Sequence, residues 1–314
     1  MLKTKKTPIK RDAGAAKVPD KIKLDMAVLK ARLYSLPRGV PHSLFIGLTS
    51  RCDLSCLHCK YSGDAALGGG DMPQSLLFRI LEAAAGLGIP RLIFFGGEPL
   101  LYPHLERAVT KAAELGFFTE LDTNGQSLDR ARLGRLAAAG LSSVMVSLHS
   151  TDPAAHERIS GPGTFARAER AVKAAVACGL VTYVSACIFS GSLKGPGLKR
   201  LLAFARKHGA LGARLLPYSP PTGLSRLPGQ LARRLYRTSP DGYARSCVSR
   251  GSRLCDAQRG RLLYISRNGE ARICPYASGS LGSLKDSTLS ALLANKRRQP
   301  VKGGFPCQGG KHPA

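Results

Sequence analysis

SRCDLSCLHCKYSG, residues 50–63, places three of the chain's nine cysteines at Cys52, Cys56 and Cys59, a C-x3-C-x2-C spacing. Directly before it stands SLFIGLT (43–49), an apolar run of strand length. After it comes QSLLFRILEAAAGLG (74–88), whose apolar residues recur at helical spacing. The cysteine loop is therefore the exit of a first strand on its way to a first helix. The same alternation continues along the chain. RLIFFGG is followed by HLERAVTKAAELG, FFTELDTNG by LDRARLGRLAAAG, SSVMVSLHS by a helix over about 164–179, VTYVSACIF by GLKRLLAFARKHG, and ARLLPYS is the sixth strand. Helix ends fall at Gly116, Gly140, Gly179 and Gly209, as C-terminal caps require. Six βα repeats predict an α/β fold, a partial (βα)6-type TIM-like barrel with its site at the carboxyl ends of the strands. The unusual residues collect there: the cysteines after strand 1, GGEP after strand 2, TNG after strand 3 and SLHS at the end of strand 4.

Outside this rhythm the chain changes character. Residues 1–42 read as a basic tail and a helix (KIKLDMAVLKARLYSL), 43–222 as the barrel and 223–314 as a smaller module. Within that module RLLYISRNGEARICPY reads as a β-hairpin with Asn268-Gly269 as a two-residue turn, and KDSTLSALLANKRR as a helix opened by Asp286 or Ser287. The net charge is +27, unevenly spread. Residues 1–40 hold 11 Lys/Arg against 3 acids (+8), 41–198 hold 14 against 13 (+1), 199–272 hold 16 against 3 (+13), and 273–314 hold 6 against 1 (+5). Basic flanks on a neutral body attract anions: phosphates, carboxylated metabolites, acidic peptides or nucleic acid. No run approaches the ~18 apolar residues of a membrane span, and the first residues lack the apolar core of a secretory signal. A cytoplasmic location is expected, where clustered thiols serve metals or catalysis more often than disulfides.

Three thiols on one loop match three irons of a [4Fe–4S] cluster, leaving the fourth iron open. Structural zinc, with His58 as a strained fourth ligand, and buried spare thiols are the competing readings. The glycines Gly96 and Gly97 let the chain pass close to a ligand, Glu98 supplies a carboxylate and Pro99 fixes the turn.

The cysteine loop followed by GGEP resembles the radical S-adenosylmethionine (SAM) superfamily over about 43–222. The resemblance implies that Cys52, Cys56 and Cys59 hold a [4Fe–4S] cluster whose open iron chelates SAM. One electron then cleaves SAM to methionine and a 5′-deoxyadenosyl radical, which abstracts a substrate hydrogen. It also implies that Glu98 meets the SAM ammonium, that Thr123 and Asn124 lie near its methionine part, and that Ser147 and His149 contact ribose or methionine. Many relatives have Asp where His149 stands. Cys255, Gly269 and Cys274 resemble the opening of the SPASM/twitch extension. This implies an auxiliary [4Fe–4S] cluster on Cys255, Cys274 and Cys307, with Cys247 as candidate fourth ligand. The full extension carries seven cysteines and this tail has four, enough for one such cluster. Cys178 and Cys187 read as packing, and His42, His104, His156, His208 and His312 as surface or core residues without a partner of recognisable spacing. Expected partners are SAM, an anionic substrate (a peptide or a carboxylated or phosphorylated cofactor precursor) and an electron donor such as a flavodoxin or ferredoxin. Nucleic acid is the less favoured partner, since no aromatic-interleaved basic surface supports it. A non-catalytic zinc- or Fe–S-binding module with RNA-binding flanks is the alternative.

Overall fold

The computed structural model describes residues 20–59, 70–189, 196–217, 244–246, 256–277 and 279–298. The six expected strands form: β1 Ser43–Thr49, β2 Arg91–Gly96, β3 Phe118–Thr123, β4 Ser143–Ser147, β5 Val181–Ile188 and β6 Gly212–Pro217. They pair in sequence order and in parallel, as βα units do. The connecting helices are α2 Gln74–Gly86, α3 Leu105–Glu114, α4 Arg130–Ala138, α6 Thr164–Ala177 and α7 Gly197–Lys207, with α1 Asp20–Tyr34 ahead of β1. The result is an open partial barrel.

Alternation along the strands decides which side does what. Leu44, Ile46 and Leu48, Leu92 and Phe94, Val144 and Val146, and Val184 and Ala186 form one continuous core with the helices. Helix α3 meets them with Leu105, Ala108, Val109 and Ala112, and α7 with Leu198, Leu201, Leu202 and Ala205. Both sets keep the i, i+3, i+4, i+7 spacing of one helix face. The intervening strand residues turn to the concave side, where Phe95 stands edge-on to Phe45 and Tyr264. Helix α1 lies at the opposite end from the strand exits. Its Leu29 packs on Phe118 and Val181, the first residues of β3 and β5.

Several local expectations are corrected. An additional helix, α5 Pro153–Ser160, precedes α6; Asp152 caps it by accepting the Ala155 N–H (3.0 Å), with Pro153 in the first turn. The C-terminal hairpin forms between β8 Leu262–Ile265 and β9 Glu270–Arg272, but its loop has three residues. Gly269 N–H donates to the Ser266 carbonyl and Ser266 N–H to the Glu270 carbonyl, with Gly269 at φ 84° in the bulge position. Helix α8 Leu289–Arg298 is opened by Thr288, whose hydroxyl accepts the Ala291 N–H (3.2 Å), and not by Asp286 or Ser287.

Four short strands extend the sheet at its two edges. β7 Ala244–Ser246 lies parallel to β6, β8 lies parallel to β1, and β10 Ser280–Ser283 pairs with β9. The order is β10-β9-β8-β1-β2-β3-β4-β5-β6-β7, so the hairpin extends the barrel's own sheet at the β1 edge. Cys247, Cys255, Cys307 and His312 lie outside the described residues, as does the end of ARLLPYS beyond Pro217.

Candidate active site

The cysteine loop is fastened at both ends by backbone. Where β1 ends, the Thr49 carbonyl accepts the Gly97 N–H (2.7 Å) and the Arg51 carbonyl the Glu98 N–H (2.8 Å). The Arg51 guanidinium adds a bidentate pair with Asp71 and a bond to the Leu101 carbonyl (2.6 Å). Further along, Leu57 N–H donates to the Ile159 carbonyl of α5 (2.8 Å), which ties the loop to the helix that the sequence reading missed. Gly96 and Gly97 prove necessary for a reason other than ligand approach. A Cβ on Gly96 would lie 2.5 Å from the Thr49 carbonyl oxygen, and one on Gly97 2.2 Å from that of Arg51. Their missing side chains make room for the cysteine loop itself.

Glu98 is buried, and its carboxylate joins two strand exits. It accepts from the Leu100 N–H (3.0 Å), the Thr123 hydroxyl (2.7 Å) and the Asn124 N–H (2.8 Å). Burial nevertheless pushes its pKa up to about 7 against the pull of these three donors. Asn124 continues the chain of contacts: its side-chain amide donates to Asp53 (2.6 Å) and reaches Cys52 Sγ at 3.9 Å. The 3-10 turn Pro99–Leu101 begins immediately after Glu98, with Pro99 buried.

Above β4 three imidazoles stack. His149 and His156 lie face to face with centroids 5.4 Å apart, and His58 stands edge-on to His149 at 4.7 Å. The Cys187 N–H donates to His149 Nδ1, and the His149 N–H donates to His156 Nδ1, both at 3.1 Å. Each ring therefore carries its proton on Nε2. Burial holds the pKa of His149 well below the usual value, with His58 and His156 adding to the effect, and lowers that of His156 to about 4. His156, read from sequence as lacking a partner, is thus the support of His149.

The concave face of the sheet holds four charges. Arg91 pairs with Glu120 (2.6 Å), which also accepts the Ser143 hydroxyl, and Arg214 pairs with Asp122 (2.5 Å). Burial disfavours ionised Glu120, but Arg91 and Arg214 outweigh it and hold its pKa below the ordinary value. Burial raises that of Asp122 to about 6 despite Arg214, with Glu120 adding to the rise.

One cavity unites these parts. It is lined by Cys52, Cys56 and Cys59, by Gly96, Gly97 and Glu98, by Thr123 and Asn124, and by Ser147 and His149. Pro99 alone of the residues expected at the SAM site is not on its wall. Asp122, Ser185, Cys187, Arg214 and Tyr276 line it as well. A signal for some of these was present in the sequence: Glu120 and Asp122 stand at alternate positions of the strand FTELDT, and Arg214 is the one charged residue of ARLLP. Cys187 is buried but borders the cavity, whereas Cys178 packs on the helical side. Among the described residues no group of three His, Cys, Asp or Glu side chains is gathered tightly enough to hold a single metal ion. A cluster asks for something else, thiols spread around one cavity so that each meets a different iron, and the donor set fits that demand. Cys274 is buried among Ala257, Ile273 and Ala277.

Residues 46–197 match the model of the Radical SAM superfamily. A PqqA peptide cyclase from Streptomyces rochei is 33% identical over 159 residues, 51% of this chain and 44% of its own. The PqqA peptide cyclase of Rhodopseudomonas palustris is 33% identical over 123 residues, 39% of this chain and 33% of its own. The match thus spans less than half of either relative. Among solved structures, Streptococcus suis SuiB superimposes with a TM-score of 0.67 at 19% identity, covering 90% of this chain and 71% of SuiB. anSMEcpe with bound AdoMet and a peptide gives 0.64 at 18% identity, covering 86% and 88%. Residues 46–197 thus carry a radical SAM domain.

Proposed function

We propose that this chain is a radical SAM enzyme that acts on a peptide. The observation carrying the proposal is the single cavity that joins Cys52, Cys56 and Cys59 to Glu98, Asn124 and His149. The three cysteines would hold a [4Fe–4S] cluster. When bound, that cluster supplies the electron that splits SAM into methionine and a 5′-deoxyadenosyl radical, which takes a hydrogen atom from the substrate. Glu98 offers its carboxylate to the SAM ammonium. A cation beside it favours the ionised form, so binding near neutral pH releases its proton. His149, neutral and protonated on Nε2, offers a fixed donor to a ribose hydroxyl or the methionine carboxylate. Thr123 is occupied in holding Glu98, and Ser147 completes the wall.

The peptide is favoured over a cofactor precursor because relatives of this chain are named for it: the PqqA peptide cyclases and SuiB bound to precursor peptide SuiA. The basic flanks would attract acidic parts of such a peptide outside the cavity. We assign residues 1–42 to a basic tail and helix, 43–222 to the barrel and 223–314 to a module carrying one auxiliary cluster. Its ligands would be Cys255, Cys274 and Cys307, with Cys247 as the fourth. A flavodoxin or ferredoxin would supply the electron. No helix among the described residues is long and apolar enough to cross a membrane.

Anaerobic reconstitution with iron and sulfide, followed by SAM and dithionite, tests the reading. It predicts 5′-deoxyadenosine and about eight irons per chain, two four-iron clusters. Bound zinc without sulfide, and no deoxyadenosine, would refute it in favour of a structural cysteine loop.

A further inference from the structure

Asp122 and Arg214 sit on β3 and β6 with two strands between them, so their ion pair crosses the concave side of the sheet. Both line the cavity. Only Asp122 Oδ2 is used by the pair. Asp122 Oδ1 and Arg214 Nε are buried without a hydrogen-bond partner among the described residues, and Asp122 is 8% exposed. A buried acceptor and a buried donor left open at one place carry a desolvation cost that a ligand satisfying both would relieve.

The charge of the cavity wall narrows what that ligand is. Arg214 is neutralised by Asp122 and Arg91 by Glu120, and His149 and His156 each accept a backbone N–H on Nδ1, as neutral imidazoles do. Among the described residues no Lys or Arg besides Arg214 lines the cavity, so a carboxylate or phosphate placed against this pair would lose water without gaining a protein counter-charge there. A group with both an N–H and a C=O fits the open atoms.

We propose that Asp122 and Arg214 anchor an uncharged carboxamide of the substrate, Asp122 Oδ1 accepting from its N–H and Arg214 Nε donating to its C=O. The moiety that reaches the cavity is then an Asn or Gln side chain, whose N–H and C=O lie on the same side, whereas those of a trans backbone peptide group point apart; the substrate's acidic character, if any, stays outside. This rests on the reading of the cavity as a peptide-modifying radical SAM site.

The test uses two matched probes, N-acetylglutamine methylamide and N-acetylglutamate methylamide, followed by saturation-transfer NMR on the anaerobically reconstituted enzyme with SAM. The wild type should bind the glutamine probe at least tenfold more tightly. Asp122→Asn leaves Arg214 without its counter-ion and should reverse the order, binding the glutamate probe at least tenfold better than the wild type does. The double variant Asp122→Asn with Arg214→Gln carries no charge at these two positions and should bind both probes within threefold of each other. A wild-type amide preference below tenfold, or a tenfold amide preference surviving in the double variant, overturns the proposal; the latter criterion applies even where the single variant does not fold. Deoxyadenosine formed in the same preparation without peptide reports separately on the radical reading. Its absence beside an intact amide preference removes that reading and leaves the anchor, and the converse result removes only the anchor.

Discussion

Gly97→Ala measures how tightly the cysteine loop is seated. The added methyl would stand 2.2 Å from the Arg51 carbonyl oxygen, 2.8 Å from its carbon and 2.9 Å from the Ser50 carbonyl carbon, all backbone atoms. Non-bonded carbon and oxygen need more than 3 Å, so Arg51 must retreat by ~1 Å. That retreat strains the flanking Gly97–Thr49 and Glu98–Arg51 bonds, at 2.7 and 2.8 Å. Overpacking costs about 1–3 kcal/mol and each lost hydrogen bond about 1 kcal/mol, so the loss of stability should be ~2–5 kcal/mol. Cys52 follows Arg51 directly, so the same displacement moves the first thiol. A misplacement of ~1 Å at a reacting centre costs on the order of 10²-fold in rate. Urea denaturation and the rate of deoxyadenosine formation are the two readouts. Gly134→Ala serves as control, because nothing lies within 4 Å of its added methyl in the middle of α4. There the helix should gain about 0.5–1 kcal/mol. A Gly97→Ala enzyme within 0.5 kcal/mol and twofold of the wild type would refute the account of the loop's seating.

Three other outcomes are expected. Cys56→Ala should abolish SAM cleavage while the C-terminal iron remains, as read by deoxyadenosine and iron analysis; unchanged cleavage excludes Cys56 as a ligand. Cys255→Ala combined with Cys274→Ala should remove about half of the iron, and a full complement would dismiss the auxiliary cluster. Glu98 has a folded pKa of about 7 against an ordinary 4.5, so between these values the folded state keeps a proton that the unfolded state has lost. Stability should therefore fall as pH rises from 4.5 through 7, by up to ~3 kcal/mol from this group. Glu98→Gln replaces an acceptor facing the Asn124 N–H, which adds a pH-independent penalty, but it removes the slope. The difference between variant and wild type should shift in the variant's favour across that window, and a constant difference in urea titrations would contradict the raised pKa.

What could be read from the sequence was whatever short-range periodicity encodes. The strands of SLFIGLT and RLIFFGG, the helix faces of α3 and α7 and the convergence of motifs at strand exits all follow from spacing within a dozen residues. Helix α5 escaped because eight residues hold only two turns, although Asp152-Pro153 was a start signal. The hairpin was visible, but its parallel partner β1 was not, since a local turn carries no information about which edge it joins. The glycines of GGEP were recognised as close-approach residues, while the object approached, the backbone of residues 49–51, is set by tertiary structure. His156 and the Asp122–Arg214 pair were hidden for the same reason: the latter residues are 92 positions apart, and only closure of the barrel makes them neighbours.

The two ion pairs of the concave face offer a comparison within one molecule. Buried pairs are weak stabilisers, since the cost of desolvating both ions cancels most of their attraction. Their presence therefore calls for a reason other than stability. Asp122 and Arg214 border the cavity, whereas Arg91 and Glu120 do not. Glu120 is fully buried and leaves Oε1 without a partner among the described residues, as Arg91 leaves Nε. If the upper pair exists to bind and the lower one only fills space, their neutral replacements must behave differently. Arg91→Met with Glu120→Leu should leave stability unchanged or raise it by about 1–4 kcal/mol, while either single change should cost ~3–5 kcal/mol by stranding the other charge. The double variant should keep the tenfold amide preference, which the double change at Asp122 and Arg214 abolishes. Urea denaturation and the two-probe binding measurement separate the cases. Loss of amide preference on removal of Arg91 and Glu120 would mean that the four charges act as one network, with the lower pair holding Arg214 in place through the Coulomb field of Glu120.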